Sequence, residues 1–412
     1  MTNPGPALRF IPFRKRDIIE MCLGRGELDA EVAAQFREFC RLLQSVFHFE
    51  FHAVLEALKD SYAAVDPDAA TRRPDGSAPE APAGGGTVEL LTRLLNKANY
   101  EQLTQADIDQ ALNESSLFKI RLHVDFGDFS EVLLYCRGVA QREEIVREWW
   151  GLRRRSLRFT NYDRVVLYLR FRPDYDPSRA ALPAVTPGAV LLRMFQNVPK
   201  ADLEMLFPNT SIRMRTVDKL MIGVPAAVSG GIILATKLGA TLVLLGSLIG
   251  FWLGLHAKPV RLDTAALTVL FAGLATLGGY FWKQFSNYKN RKLRFMQSLT
   301  QNLYFKNLDN NAGVFHRLVD EAEEEECKEA ILAYYFLLAQ RQPMTRAELD
   351  STIERWLRER WQCDIDFEIG DALDKLQGLG LLVPSGDRLS AVPLDVAMRQ
   401  LDRRWDDYFR YE

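Results

Sequence analysis

The chain has 412 residues, a formal net charge of −2 and five cysteines without a C-x-x-C pair. At roughly 150 residues per domain, this length predicts two or three units that can each bury a core. The near-neutral charge excludes a bulk attraction to nucleic acid or anionic lipid. The cysteine pattern argues against a zinc ribbon, a redox dithiol or a disulfide scaffold and fits a reducing compartment.

The N-terminal region, residues 1–65, is predicted to be helical. Apolar residues recur about every 3.6 positions across residues 30–62, which is the period of an amphipathic helix. The basic N-terminus is not followed by the apolar run of a secretory signal peptide. Residues 66–86 are rich in Pro, Gly, Ala and charge, and they predict a disordered linker because they cannot bury apolar area.

Residues 87–216 predict a small α+β domain with a mostly antiparallel sheet. Helices are expected at residues 88–97, after Thr104 and, as a short helix, from Lys200. Alternating strand patterns lie at residues 118–126, 130–138, 164–171 and 188–195. The first two patterns flank Gly127 and Asp128, and they therefore predict a β-hairpin.

Residues 217–283 are predicted to be a transmembrane region. Apolar segments lie at residues 220–236, 238–255 and 264–282. A membrane-spanning helix takes about 20 apolar residues, so the second and third segments qualify. The first is interrupted by Pro225 and Gly230, and it is expected to form a re-entrant or interfacial helix. Cations flank the region on both sides, and cations are enriched on the cytosolic side of a membrane. This pattern favours two spans with both termini in the cytosol. Three spans, with the two flanks on opposite sides of the membrane, are the alternative.

Small residues recur at every fourth position within the two predicted spans. They are Gly246, Gly250 and Gly254 in the first span and Ala275 and Gly279 in the second. This spacing favours close helix packing, either inside a hairpin or between the subunits of a homo-oligomer. An oligomer could form a pore, but no buried ionisable residue marks an ion path.

Residues 284–314 predict a basic helix that leaves the bilayer, followed by a turn. The cations expected to contact anionic lipid headgroups are Lys283, Lys289, Arg291, Lys292 and Arg294.

Residues 315–412 predict a winged-helix-like domain with three helices and a hairpin. Such folds often bind DNA through the third helix, but that helix carries Glu368, Asp371 and Asp374 against a lone Lys375. Since acidic side chains would face phosphates, nucleic acid is not expected as a partner and protein contact is favoured.

An acidic run from Asp320 to Glu329 contains seven acids and one lysine. Such a run is usually a solvated helix face, and its like charges repel unless cations lie opposite. The cations expected opposite are Lys289, Arg291, Lys292 and Arg294, or Arg153 to Arg155. Glu323, Glu324, Glu325 and Glu326 are therefore predicted to dock the C-terminal unit beneath the membrane.

Two clusters have the helical spacing of metal ligands. The first consists of His48, His52 and Glu56, and the second of His316, Asp320 and Glu324. The first lacks the H-E-x-x-H pattern of a zinc protease, and no nucleotide-binding or nucleophile motif is present. The sequence therefore predicts no catalytic residue, cofactor or metal site.

Four blocks resemble the transmembrane protein 143 family, an uncharacterised family that carries the domain of unknown function 3754. The blocks are RFIPFRKRDIIEMCL (9–23), LLQSVFHFEFH (42–52), FQNVPKADLEMLFPNT (195–210) and LYFKNLDNNAGVFHRLVDEAEEEECKEAILAYYFLL (303–338). The resemblance covers most of the chain and implies an integral membrane protein with two spans, mitochondrial in animals and without an established activity. Because the chain begins eight residues before the first block, no room for a transit peptide is expected. Its use of Ala, Arg and Gly predicts a bacterial relative in the cytoplasmic membrane.

The predicted fold class is α+β, with an N-terminal cytosolic domain, a helical transmembrane hairpin and a C-terminal winged-helix-like domain. The favoured function is a membrane-anchored cytosolic interaction platform, whose partners would be membrane lipids and an unidentified protein. An oligomeric membrane pore or transporter is the alternative, and a membrane-associated metal-dependent enzyme is the least favoured.

Overall fold

A computed structural model describes residues 7–68, 86–104, 106–108, 121–148, 153–176, 187–209, 211–213, 239–254, 263–340 and 342–409. The chain divides into two compact units. Unit 1 comprises Met1–Ser115, Asp125–Asn209 and Lys306–Glu412, and unit 2 comprises Ser116–Val124 and Thr210–Phe305. Most of the predicted linker and the whole apolar segment 220–236 lie outside the described residues.

The described helices include all those predicted from a strong 3.6-residue period. They are α1 (Lys15–Leu23), α2 (Ala30–Tyr62), α3 (Thr87–Lys97), α4 (Gly239–Trp252), α5 (Thr264–Lys306), α6 (Ala312–Gln340), α7 (Arg346–Trp361), α8 (Ile369–Gly378) and α9 (Leu394–Asp407). The predictions at 30–62 and 88–97 are confirmed by α2 and α3. Asp29 begins α2 by accepting a hydrogen bond from the backbone N–H of Val32, at 2.9 Å.

The described strands are β1 (Glu101–Gln102), β2 (Arg121–His123), β3 (Phe129–Glu148), β4 (Arg153–Phe171), β5 (Val190–Pro199), β6 (Ser211–Arg213), β7 (Asn307–Asn310), β8 (Met344–Thr345), β9 (Leu382–Ser385) and β10 (Arg388–Ala391). The main sheet of unit 1 has the order β1-β3-β4-β5-β7, and every pair in it is antiparallel. One of its faces buries Tyr135, Val166, Tyr168 and Met194 in the core that also contains the helices of unit 1. The prediction of a mixed α+β fold with an antiparallel sheet is thus confirmed.

The predicted hairpin around Gly127 is wrong. β3 pairs with β4 along its whole length, whereas β2 pairs with β6 in unit 2. Gly127 and Asp128 lie instead in a short 3-10 turn, where the Asp125 side chain accepts a hydrogen bond from Gly127 N–H at 3.0 Å. Pairing two long strands forms many more ladder hydrogen bonds than a hairpin between two short segments, which explains why the local turn signal did not decide the partner.

The turn predicted after the basic helix contains a strand. α5 continues to Lys306, and β7 then pairs with β5 at the edge of the main sheet. Asn311 follows in a left-handed conformation with φ +48°, and its Oδ1 accepts a hydrogen bond from Tyr62 O–H at 3.0 Å. This connection leads the chain from the sheet into α6.

The C-terminal region contains the predicted helices and hairpin, in the order α6, β8, α7, α8, β9 and β10, with β10 between β8 and β9 in a small sheet. It does not have a core of its own, because α6 packs into the same core as α2. Phe39 stacks on Tyr334 with ring centroids 4.2 Å apart, and Phe36 meets Tyr335 edge to face at 5.5 Å. The end of α6 is apolar on every side, and such a helix requires neighbours all round.

Unit 2 contains the paired strands β2 and β6, helix α4 and α5 up to Phe305. Neither α4 nor the first part of α5, residues 264–282, carries a charge. Among the described residues, no helix combines the length and the apolar character that a membrane crossing requires, and the predicted transmembrane hairpin is without support here.

Candidate functional site

The acidic run predicted as a docking surface lies in the middle of α6, and most of it is buried. Glu323, Glu325, Glu326 and Glu329 are all buried, as is Lys328 between them. The usual expectation of a solvated acidic face is therefore wrong. We call these carboxylates and their partners the α6 ion-pair network, which comprises Glu321, Glu323, Glu325, Glu326, Lys328 and Glu329 with Lys15, Lys97, Arg137, Arg164 and Lys375.

Glu325 lies at the centre of the network, and its side chain is 0% exposed. One carboxylate oxygen accepts hydrogen bonds from Arg137, at 2.8 Å, and from Lys328, at 2.7 Å. The other accepts the backbone N–H of Ile11 at 3.0 Å, while Lys328 donates to the carbonyl oxygen of Ile11 at 2.6 Å. Charge-assisted hydrogen bonds of this kind are the stronger ones in proteins. Glu325 and Lys328 therefore hold the N-terminal segment on α6 through the backbone of Ile11.

Arg137 connects the main sheet to the same helix. Its guanidinium donates to Glu321 at 3.2 Å and lies 4.5 Å from the ring centroid of Phe10. The Tyr100 hydroxyl donates a hydrogen bond to the same carboxylate at 2.6 Å. Burial raises the pKa of Tyr100 well above its ordinary value. The Tyr100 hydroxyl therefore remains protonated and acts as a donor.

Glu326 and Glu329 share the ammonium group of Lys375 from α8, at 2.9 and 3.2 Å. Lys97 adds a second cation 3.6 Å from Glu326, and the side-chain amide of Asn99 donates to Glu329 at 2.9 Å. Burial raises the pKa of Glu329 to about 7, and Lys375 and Asn99 oppose that shift. Burial by itself lowers the pKa of Lys375, but the two carboxylates outweigh it and the net shift is upward. Glu329 can thus exchange a proton near neutral pH.

Glu323 and Glu324 contact the start of α1. The Lys15 ammonium lies 2.7 Å from Glu323, and the backbone N–H of Lys15 donates to Glu324 at 3.3 Å. His48 Nδ1 lies 2.9 Å from the other oxygen of Glu323, although the His48 side chain is 76% exposed. These contacts hold α1, α2 and α6 together.

The described partners of the acidic run are cations other than the predicted ones, and the predicted pairing stays a prediction. Among the described side chains, the cations beside these carboxylates come from α1, α3, β3, β4, α6 and α8, all within unit 1. The side chains of Arg153 to Arg155, and those of Arg291, Lys292 and Arg294, lie outside the described residues. The sequence carried one signal that was missed: Arg137 is a lone cation within the apolar strand VLLYCRGV, where only a buried carboxylate could compensate it.

The two clusters with the helical spacing of metal ligands are not assembled as metal sites in the described residues. Within the described part of the chain, no group of three or more His, Cys, Asp and Glu side chains could hold a metal ion. His48 contacts Glu323, and Glu56 pairs with Lys59 at 2.9 Å.

The predicted helix-packing residues lie in unit 2. α4 ends at Trp252, and Gly254 follows it in a left-handed conformation with φ +72°, so this glycine does not extend the helical face of Gly246 and Gly250. A Cβ atom added at Gly246 or Gly279 would meet no described atom within 4 Å. Ala275, Gly279, Lys283, Lys289, Arg291, Lys292 and Arg294 all lie on α5. Their packing and lipid contacts stay predictions.

The fold defines a mixed α+β protein in which an antiparallel sheet and helices from both ends of the chain enclose a buried ionic network. Residues 162–313 match the family model described as a protein of unknown function, DUF3754. The match runs from within β4 to the start of α6 and supports a domain of unknown function, while the narrower resemblance to the transmembrane protein 143 family stays a prediction. No solved structure matches the chain.

Proposed function

We propose that the protein is a membrane-anchored interaction platform, in which unit 2 attaches to a lipid bilayer and unit 1 is the rigid module offered to a protein partner. The finer form of the proposal is a two-span hairpin formed by residues 238–255 and 264–282, with unit 1 on the cytosolic face of a bacterial cytoplasmic membrane. The winged-helix-like arrangement of α6 to β10 would then serve protein contact, because the outward side of α8 carries Asp371 and Asp374.

The observation that supports attachment is the exposure of large apolar side chains in unit 2. Trp252 is 88% exposed and Trp282 is 72% exposed, and Val243, Phe271 and Phe281 are exposed as well. Exposed apolar surface of this kind is typical of membrane or protein interaction sites. A tryptophan followed by a cation, as in Trp282 and Lys283, is also the order found where a helix leaves the bilayer for the aqueous phase.

The direct test is flotation of the full chain with vesicles of phosphatidylethanolamine and phosphatidylglycerol, followed by extraction at high pH. We expect the chain to float with the vesicles and to resist extraction, because transfer of large apolar side chains into the bilayer is favourable. The double variant Trp252→Glu and Trp282→Glu should float poorly. The matched control is Val383→Glu, which places the same charge on an exposed apolar residue of unit 1 and should float like the wild type.

A chain that stays monodisperse in buffer and does not float would contradict the proposal. The two-span form has a separate test, since a reporter fused to the C-terminus must be cytosolic. An external C-terminus would exclude that form.

A further inference from the structure

A groove with a volume of about 650 Å³ lies between α1 and α7 in unit 1. Phe13, just before α1, meets Trp361, the last residue of α7, with ring centroids 6.1 Å apart. Arg25, just after α1, lies 5.6 Å from the ring centroid of Trp356, further back in α7. The two helices therefore run in opposite directions and form the two walls. The nine residues of α1, Lys15–Leu23, correspond to a length of about 13.5 Å at the helical rise.

The side chains that line this groove are of the types enriched in protein interfaces, namely Trp, Phe, Met and Arg. Phe13, Met21 and Trp356 are half-buried, and Trp361 is 41% exposed. Trp356 packs edge to face against Phe336, with ring centroids 5.4 Å apart. Rings fixed in this way lose little conformational freedom when a partner covers them.

Apart from Arg25, which lines the groove and pairs with Glu27 at 2.6 Å, the two walls carry opposite charge. Asp17 and Glu20 lie on α1, and Arg360 lies on α7. Glu20 is already held by two hydrogen bonds from Arg37, at 3.1 and 3.0 Å. In the described part of the chain, Asp17 and Arg360 have no ion-pair partner, and both are exposed. One wall thus offers a free carboxylate and the other a free guanidinium.

We propose that this groove binds a helical segment of a protein partner, about two to three turns long, with its apolar stripe against Met21, Trp356 and Trp361. The charges orient the segment: basic residues along one flank face Asp17, and acidic residues along the other face Arg360. The α1 wall, about 13.5 Å long, equals about nine helical residues, which is enough for apolar anchors at i, i+3 or i+4, and i+7. This inference rests on the proposed function of an interaction platform, and it names the class of partner.

The test uses a displayed library of helical peptides of about fourteen residues, selected against the full chain in detergent micelles and counter-selected against the variant Met21→Glu, Trp361→Ala. Enriched peptides should share an apolar stripe with basic residues on one flank and acidic residues on the other. Their affinity, measured by fluorescence anisotropy, should fall about tenfold or more for Arg360→Glu and for Asp17→Lys. Reversing the charge on the matching peptide flank should restore binding to each variant.

The matched control is Arg355→Glu, the same charge change on an exposed residue of α7 outside the groove, and its affinity should equal that of the wild type. Thermal unfolding of each variant checks that it is folded. The proposal is overturned if no peptide is enriched, or if binding survives Trp361→Ala and charge reversal restores nothing. It is also overturned if the chain self-associates through the groove and Arg360→Glu abolishes that association, because the occupant is then a second copy.

The two proposals fail separately. A chain that floats with vesicles but binds no peptide supports the membrane anchor and overturns the peptide-binding groove. A chain that binds peptides in micelles but does not float supports the groove and overturns the anchor.

Discussion

The carboxylate of Glu325 accepts hydrogen bonds from Arg137, Lys328 and the backbone of Ile11 in the interior of unit 1. Charges can be buried at this depth only because cation and anion are matched and most of their hydrogen-bonding groups are satisfied. The network therefore contributes less net stability than its number of contacts suggests, but removing one member leaves the opposite charge buried and uncompensated.

Glu325→Gln should lower the free energy of unfolding by about 3 to 5 kcal/mol, because Arg137 and Lys328 lose the carboxylate that compensates both. Urea unfolding followed by tryptophan fluorescence measures this loss. The control is Glu324→Gln on the same helix, which is only partly buried and accepts one long hydrogen bond, at 3.3 Å. An equal loss for both variants would show that the centre of the network is no more sensitive than its edge.

Glu329 should make stability depend on pH. Burial raises its pKa in the folded chain from 4.5 to about 7, so the folded state binds this proton more tightly than the unfolded state. The stability contributed by this proton is fully present below pH 4.5 and falls as the pH rises towards about 7. Above about pH 7 this contribution is lost. The advantage of the wild type over Glu329→Gln should fall by at most about 1.4 kcal/mol per pH unit in that window.

Urea midpoints measured from pH 4.5 to 8 test this dependence. Glu359→Gln is the control, since it removes an exposed carboxyl group from α7. Parallel pH curves for the wild type and Glu329→Gln would rule out a titration of Glu329 in this range.

At the scale of elements, α6 is the helix that the other parts of unit 1 surround. The segment before α1 is bonded to α6 through Ile11, and Lys15, the first residue of α1, pairs with Glu323. Leu8 of the same segment forms a parallel bridge with Ile365. Apolar packing also holds this segment, because Ile11 lies in the core and Leu8 and Phe13 pack against it. The ion pair of Lys15 with Glu323 is largely buried, so reversing the Lys15 charge should still weaken the attachment.

Lys15→Glu should release this segment, because a carboxylate would replace the cation that lies 2.7 Å from Glu323. Limited trypsin digestion reports the release as faster cleavage after Arg9, a site present in both proteins. Arg16→Glu is the control, since Arg16 is the exposed neighbour of Lys15. Cleavage after Arg9 at the same rate in wild type and Lys15→Glu would mean that other contacts hold the segment.

Element type was predictable where the signal was local. The long helix over residues 30–62 and the helix over 88–97 follow from a repeated apolar period, and the strand patterns at 164–171 and 188–195 from alternation. Strand partners were not predictable in the same way. The pairing of β3 with β4 joins residues up to 42 positions apart, Phe129 to Phe171, and no property of either segment alone specifies it.

At the scale of the whole molecule, the N-terminal and C-terminal regions that were predicted as separate domains share one core. Phe36, Phe39, Tyr334 and Tyr335 belong to it, and so do Ile353 of α7 and Leu373 of α8. A shared core makes cooperative unfolding the expected behaviour.

The buried cysteines test this cooperativity. Cys40 lies in α2, Cys327 in α6 and Cys363 just after α7, and all three thiols are free and buried. Burial raises the pKa of Cys327 to about 12, so this thiol resists alkylation while the chain is folded. In pulsed alkylation at increasing urea, read by peptide mass spectrometry, the three should become reactive at one midpoint. Earlier labelling of Cys363 would indicate an independently folding C-terminal domain.

The sequence by itself determined the positions of most helices and strands, the uncharged character of residues 238–255 and 264–282, and the existence of an acidic run from Asp320 to Glu329. These properties depend on composition and on periodicity over short windows. Only the tertiary structure decided that the acidic run is buried, that Lys15, Arg137 and Lys375 are its partners, and that α1 and α7 form a groove. The reason is physical: the cost of a buried charge, and the choice of strand partner, depend on residues far away in the chain that only folding brings within a few ångströms.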